Sequence, residues 1–194
     1  MVFSSSASVY GNNPVNPKKE DFPLFPQSPY ALSKVDGEYF CRLYRTEYGI
    51  NAVSLRYFNV FGPRQRPDAS YAAVVPVFLE RARKHEPLVI YGDGKQTRDF
   101  VPVDTVVKAN IAAAEKGGEE FNIALGEGVE ILALAQMLIS FTKSRSEIIY
   151  APARPGDIKD SMADNTKMAG LIGSVAPGTW LDGLKRLVDE TKLS

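Results

Sequence analysis

The 194-residue chain holds one cysteine, one histidine and no net charge, and each scarcity removes a class of function. The lone thiol, Cys41, cannot close an internal disulfide, which fits a reducing compartment. The lone imidazole, His85, sits among Arg83, Lys84 and Glu86 and reads as a solvated helix-end residue, so no metal site is suggested. Acidic and basic residues number 23 each and are scattered, leaving no electrostatic footprint for nucleic acid or an anionic membrane. Apolar runs fall far short of a membrane span, and Met1-Val2-Phe3 followed by serines is neither a charged n-region nor a signal peptide. Also missing is a Gly-x-Gly-x-x-Gly turn between a strand and a helix, the device that brings backbone N–H groups to a dinucleotide pyrophosphate. The nearest approach, Leu125-Gly126-Glu127-Gly128, puts Ile131 at the third glycine position, where its bulk opposes close helix–strand packing, and is expected to be a decoy. What remains is 44% hydrophobic and 24% charged, the composition of a soluble, cytoplasmic globular protein long enough to bury a core.

Strand and helix patterns alternate along the chain. Val2 to Ser5 reads as a short buried strand, and residues 11–29 as a loop rich in Pro and Asn. Ser28-Pro29 pairs an N-cap serine with proline at the first helical position, so a helix is expected from about Tyr30 to Tyr48, ending at Gly49. Strands are expected at Ala52–Arg56, Leu88–Tyr91, Phe121–Ala124 and Glu147–Tyr150. Helices are expected at Val74–Lys84, Val103–Lys116 with Asp104 near its cap, Ile131–Ser140, Thr166–Leu171 and Thr179–Leu193. The alternation predicts an α/β fold with a mainly parallel sheet.

Tyr30 and Lys34 stand four apart on the new helix, so their side chains emerge from one face. An ammonium beside a phenol favours the phenolate, which makes a general base of a residue that is normally inert. Ser6, at the end of the first strand, is placed to hydrogen-bond the same substrate oxygen. Spacing alone is weak, because nine tyrosines make such a match cheap: Tyr91 and Lys95 form a second one across Gly92 and Gly94, where the two need not share a face.

The surrounding text is more specific. Ser4-Ser5-Ser6-Ala7-Ser8-Val9-Tyr10-Gly11 is followed by Ser28-Pro29-Tyr30-Ala31-Leu32-Ser33-Lys34 and then by Leu55-Arg56-Tyr57-Phe58-Asn59-Val60-Phe61-Gly62-Pro63-Arg64. Tyr91-Gly92-Asp93-Gly94-Lys95-Gln96-Thr97-Arg98-Asp99-Phe100-Val101 and Arg154-Pro155-Gly156-Asp157 complete the series. In this order the five motifs resemble the extended short-chain dehydrogenase/reductase family, and within it the UDP-hexose 4-epimerases, over nearly the whole chain. The resemblance implies the C-terminal part of a Rossmann-like parallel-sheet fold plus a small α/β substrate-binding domain. Residues 1–60 and 103–125 would belong to the NAD-binding part, and 61–102 and 126–194 to the sugar-nucleotide part.

The same resemblance assigns roles. Ser6, Tyr30 and Lys34 form the catalytic set, and Tyr30, Lys34 and Tyr57 the cofactor contacts, with NAD as cofactor. A UDP-sugar substrate would be held by Ser6, Asn59, Val75, Leu88, Tyr91, Arg98, Arg154, Asp157 and Ser161. Arg98 and Arg154 suit the diphosphate because guanidinium pairs with phosphate bidentately, Asp157 suits ribose hydroxyls, and the Leu88–Tyr91 strand frames the uracil. The alternatives are a structural Arg98–Asp99 ion pair and a surface role for Arg154, while Arg64 reads as shaping its turn. Ser161 aligns with a position gating the pocket at sugar C2, where a small residue leaves room for an N-acetyl group. The dehydratases of the family carry a Thr-Asp-Glu triplet where Ser6-Ala7-Ser8 stands, so dehydration is disfavoured; a uronate epimerase, a decarboxylase and a 4-reductase stay open.

The motifs correspond to roughly the C-terminal three-fifths of such an enzyme, with the glycine turn expected before them. On this reading the chain is inactive alone, Val2–Ser5 becomes a sheet edge with exposed backbone and apolar faces, and a homodimer formed through the Tyr30 helix belongs to the full-length protein. A sugar-nucleotide-binding or interaction module with a relict site is the alternative.

Overall fold

The computed structural model describes residues 1–69, 72–154, 156, 158–173 and 178–190. Ten strands and six helices follow in order: β1 (Val2–Ser6), α1 (Pro29–Tyr48), β2 (Val53–Tyr57), β3 (Asn59–Phe61), α2 (Val74–Lys84), β4 (Leu88–Tyr91), β5 (Thr97–Arg98), β6 (Phe100–Pro102), α3 (Val103–Lys116), β7 (Glu120–Ile123), β8 (Val129–Glu130), α4 (Ile131–Thr142), β9 (Ile148–Ala151), β10 (Asp160–Ser161), α5 (Thr166–Ile172) and α6 (Trp180–Glu190). Strands β1, β2 and β7 form a parallel sheet in that order, with Ser4 opposite Leu55 and Ser6 opposite Tyr57. Parallel pairs β3–β6 and β4–β9 and a small mixed sheet, β10–β5–β8, complete an α/β fold whose parallel sheet is Rossmann-like.

Helix α1 starts and stops as its end signals require. Ser28 Oγ accepts from the N–H of Ala31, Pro29 occupies the first turn, and Gly49 closes the helix in left-handed backbone at φ 65°. Gly37 lets the helix lie close on the first strand, because a Cβ there would sit 2.1 Å from the Phe3 ring. The expectation for the sheet edge is therefore corrected in part. Strand β1 is an edge among the described strands, but its Phe3 ring lies under α1 with Lys34 Nζ 5.4 Å from its centroid. Asp104 lies in the first turn of α3, near the cap as expected; it makes no capping hydrogen bond and pairs with Arg186 of α6 at 3.0 Å. His85 closes α2 in left-handed backbone, and its Nδ1 accepts from the N–H of Arg145.

Buried side chains fall into two clusters. Val53, Leu55, Ile123 and neighbours fill one beneath α1, α3 and α5; Phe78, Leu88, Ile90, Leu134 and Leu187 fill the other between α2, α4 and α6. Helix α5 packs on α3 within the first cluster, with Lys116 Nζ donating to the carbonyl of Leu171.

A buried polar network ties the first sheet to α1. Arg56 of β2 makes a two-pronged contact with Glu38 of α1, at 2.9 and 2.7 Å, and donates to Tyr10 Oη at 2.8 Å. Burial works against the Arg56 cation, but hydrogen bonds and charge from Glu38 and Tyr10 outweigh it and hold the guanidinium above its ordinary range. Ser5 donates to Glu38 from β1, and Tyr10 donates to Asn122 Oδ1 of β7 at 2.6 Å. Burial pushes the Tyr10 phenol up to about 12, so this tyrosine stays a protonated donor. The long loop before α1 joins the network through Glu20, whose carbonyl accepts from Arg56 and whose carboxylate accepts from the N–H of Asn122.

Candidate active site

In a parallel sheet the ligand-facing side chains gather at the carboxyl ends of the strands. Ser6 ends β1, Tyr57 ends β2, and the first turns of α1 carry Tyr30 and Lys34 beside them. Alternation along β1 separates two tasks: Ser5 turns to the buried Glu38, while Ser4 and Ser6 occupy the opposite face. Lys34 Nζ donates to the carbonyl of Ser4 at 2.9 Å and lies 5.5 Å from the centre of the Tyr30 ring. Ser4 Oγ lies 3.2 Å from Tyr57 Oη, which in turn donates to Asn110 Oδ1 at 3.0 Å. Ser6 Oγ accepts from the N–H of Ser8 at the head of the short 3-10 turn Ala7–Tyr10, which leaves the serine proton as its donor. Tyr30 is 58% exposed, so the site is open to solvent on the α1 side.

A second group of sequence-selected residues lies in a cavity of about 420 Å³. Asn59, Tyr91, Arg98 and Arg154 all line it, with apolar walls from Val74, Val77 and Phe78 of α2. No acidic side chain lines this cavity among the described residues. Arg154 stacks its guanidinium 3.9 Å over the Tyr91 ring, joining the segment after β9 to the end of β4. Arg98 donates to the carbonyl of Thr97 at 2.8 Å and stands opposite Ser161 in the β5–β10 pairing. Val75 and Leu88 are packed into the second core cluster and do not line the cavity. Asp157 lies outside the described residues. Arg64 holds left-handed backbone at φ 68° and takes no part in this cavity. Arg81 and Gln96 also line it, and sequence reasoning passed over both. Arg81 shares the last turn of α2 with Arg83 and Lys84, so its sequence context does not single it out.

Asp99, next to Arg98, faces the other way. Its carboxylate is wholly buried and accepts from the N–H groups of Leu125, Gly126 and Ala163 at 2.8, 3.0 and 3.3 Å. Burial raises its pKa to about 6, with those backbone donors pulling the other way. This clamp disposes of the glycine loop as a phosphate cradle, because the N–H groups at its head are engaged by Asp99 and Asn165 holds the Leu125 carbonyl. Tyr91 and Lys95 likewise serve separate ends of a turn: the N–H of Lys95 donates to Asp93.

Residues 1–124 match the model of the NAD dependent epimerase/dehydratase family. The chain belongs to that family. Over 193 residues it is 38% identical to a putative UDP-glucose 4-epimerase of Methanocaldococcus jannaschii, covering 99% of the chain and 63% of the relative. Its fold superposes with a TM-score of 0.93 on the UDP-N-acetylglucosamine 4-epimerase of Methanobrevibacter ruminantium M1 in complex with UDP-N-acetylmuramic acid, at 40% identity, covering 99% and 62% of the two chains. The Thermus thermophilus UDP-glucose 4-epimerase in complex with NAD superposes with a TM-score of 0.87 at 34% identity, covering 98% and 63%. Relatives at 32 to 34% identity include a UDP-glucuronate 4-epimerase, a UDP-N-acetyl-alpha-D-glucosaminuronate decarboxylase and a dTDP-4-dehydro-6-deoxy-D-allose reductase. The chain thus spans about three-fifths of the length of these first relatives. The family is NAD-dependent. Among the described residues no helix is long and apolar enough to cross a membrane, and no cluster of His, Cys, Asp or Glu is placed to hold a metal ion.

Proposed function

We propose that this chain supplies the proton-transfer residues and the nucleotide cavity of a UDP-hexose 4-epimerase. The observation that carries the reading is the pairing of the Ser6–Tyr30–Lys34 group with an arginine-lined cavity holding Asn59, Tyr91, Arg98 and Arg154, with no acidic lining side chain among the described residues. Tyr30 would take the proton of the sugar 4-hydroxyl and return it to the same oxygen after the sugar presents its other face. Ser6, its oxygen already satisfied by the N–H of Ser8, would donate to that sugar oxygen and hold it in line. Lys34 has three protons, of which one is engaged by the Ser4 carbonyl, so two remain for the hydroxyls of a nicotinamide ribose. Bound there, NAD⁺ supplies the acceptor for a hydride from sugar C4.

The residues present fit the nicotinamide-ribose end of that cofactor better than its pyrophosphate, since the Leu125–Gly128 loop is closed by Asp99. Sugar-nucleotide binding without turnover by the chain alone therefore follows from the same reading, and pairing of two chains through the exposed Tyr39, Phe40 and Leu43 of α1 belongs with it. Ser161 pairs with Arg98 without lining the cavity, and its small side chain is the ground for extending the proposal to an N-acetylated hexose beside the plain one.

Calorimetry of the purified chain with UDP and UDP-glucose, followed by assays for bound NAD and for UDP-glucose/UDP-galactose interconversion, tests the proposal. Binding of both nucleotides supports it, and failure to bind either overturns it. Turnover by the chain alone would show that the pyrophosphate has a cradle this reading lacks. Inertness of the N-acetylated sugar under conditions that turn over UDP-glucose would remove the role given to Ser161.

A further inference from the structure

The cavity carries a cation that neither the diphosphate contacts nor the catalytic group requires. Val74, Val77, Phe78 and Arg81 line it from α2 at spacings of three, one and three, so all four share one helix face. Seven residues of helix separate Val74 from Arg81, about 10 Å along the axis. Arg81 is half-buried at the far end of that wall, and its Nη1 donates to the carbonyl of Pro87, just before β4 begins. One nitrogen is thus tied to the chain that leads into Val89 and Tyr91, both of which also line the cavity. Arg98 and Arg154 reach the cavity from other elements, β5 and the segment after β9. Val77, Phe78, Val89 and Tyr91 line the same cavity, and apolar side chains of this kind suit the faces of a planar ring.

We propose that Arg81 reads the base of the bound nucleotide by donating to a ring carbonyl, and so selects uracil or thymine over cytosine. The inference rests on the nucleotide-sugar reading of this cavity. A guanidinium offers only donors. It pairs with the O4 carbonyl of a pyrimidinedione, whereas the amino group that replaces O4 in cytosine would set donor against donor. Tethering to Pro87 limits how far the fork can turn away from the mismatch. Charge alone would not discriminate, since all nucleoside diphosphates share the same phosphates.

Titration calorimetry of UDP, dTDP and CDP on the full chain and on Arg81→Ala, Arg81→Lys and Arg81→Gln tests this. The unsubstituted chain is expected to prefer UDP and dTDP over CDP by roughly tenfold or more, the scale of one hydrogen bond to a charged donor. Arg81→Ala should weaken UDP and dTDP by about that factor and leave CDP nearly unchanged, so the preference collapses. Arg81→Lys keeps a donor and should retain part of the preference, while Arg81→Gln can accept from an amino group and should move it toward CDP. An equal loss for all three nucleotides in Arg81→Ala would make Arg81 a phosphate contact and overturn the proposal. So would an undiminished preference in a variant that unfolds at the temperature of the parent. If the unsubstituted chain binds no nucleoside diphosphate, the underlying reading of the cavity falls as well.

Discussion

The two halves of the candidate site are built differently. Around the cavity proposed for the nucleotide, α2, β4, β5, the start of α4 and the segment after β9 close on one another, and each contributes side chains to the lining. Around Tyr30 there is one wall: β1 and α1 hold Ser6 and Lys34, while the tyrosine ring is 58% exposed and β1 has no neighbour on its outer side among the described strands. The cavity is therefore walled on several sides, whereas the proposed proton-transfer group is oriented but not enclosed. Orientation without enclosure is still informative, because the group inherits its rigidity from beneath. The Glu38–Arg56 pair, the Ser5 contact and the Phe3–Gly37 packing lock α1 on the same strands that carry Ser4 and Ser6.

The sharpest way to separate the two halves is Tyr30→Phe. In any preparation of the chain that interconverts UDP-hexoses, this variant should lose about 10²- to 10⁴-fold in kcat while calorimetric affinity for UDP stays unchanged. A matching fall in affinity would mean that the two regions are not independent. The support beneath the open half is tested by Glu38→Ala, which strands a buried guanidinium; urea unfolding should show a loss of about 3 to 5 kcal/mol. Little loss would show that Tyr10 and the Glu20 carbonyl suffice to hold the Arg56 cation, or that it reaches water.

The supports differ in pH response as well. Asp99 titrates at about 6 in the folded chain against 3.8 for a free side chain, so the folded state binds the extra proton between those values. Its contribution to stability is present below about pH 3.8 and is lost as pH rises through 6, a change of roughly 3 kcal/mol. Comparing the parent with Asp99→Asn in urea melts from pH 4.5 to 7.5 isolates this from other titrating groups: the parent's stability should fall relative to the variant as pH rises. A constant difference would mean that the clamp keeps an ordinary carboxylate. The smallest expected effect lies in the closed half. Arg154→Ala removes one charged contact and the Tyr91 stack, and should weaken UDP about tenfold without altering the unfolding temperature.

The sequence made the long elements legible because they carry redundant signals. Helix α1 has a serine cap, an N-terminal proline and a terminal glycine, and the structure begins it at Pro29 and ends it at Tyr48. The two-residue strands β5, β8 and β10 were not legible, because each exists only through pairing with chain more than thirty residues away. Local propensity carries no information about such partners. The same limit explains Asp99, for which an ion pair with Arg98 is only the alternative reading of the sequence, while its oxygens hold backbone N–H groups from a loop and from the start of the chain leading to α5. The arginines of the cavity were visible because two stand in linked motifs; Arg81, on a helix end rich in cations, had no such context.

Arg98 and Asp99 also set a tolerance for the gene. Neighbours on extended chain look in opposite directions, so this dipeptide places a cation at the arginine-lined cavity and a carboxylate under the loop at Leu125 in a single step of the backbone. A one-residue insertion or deletion just before it would turn each side chain to the opposite face, pointing the carboxylate to the cavity side and the guanidinium to the side of the buried amide protons. Length variation in this chain is accordingly expected to be excluded between Gln96 and Phe100, whatever freedom the loops on either side retain.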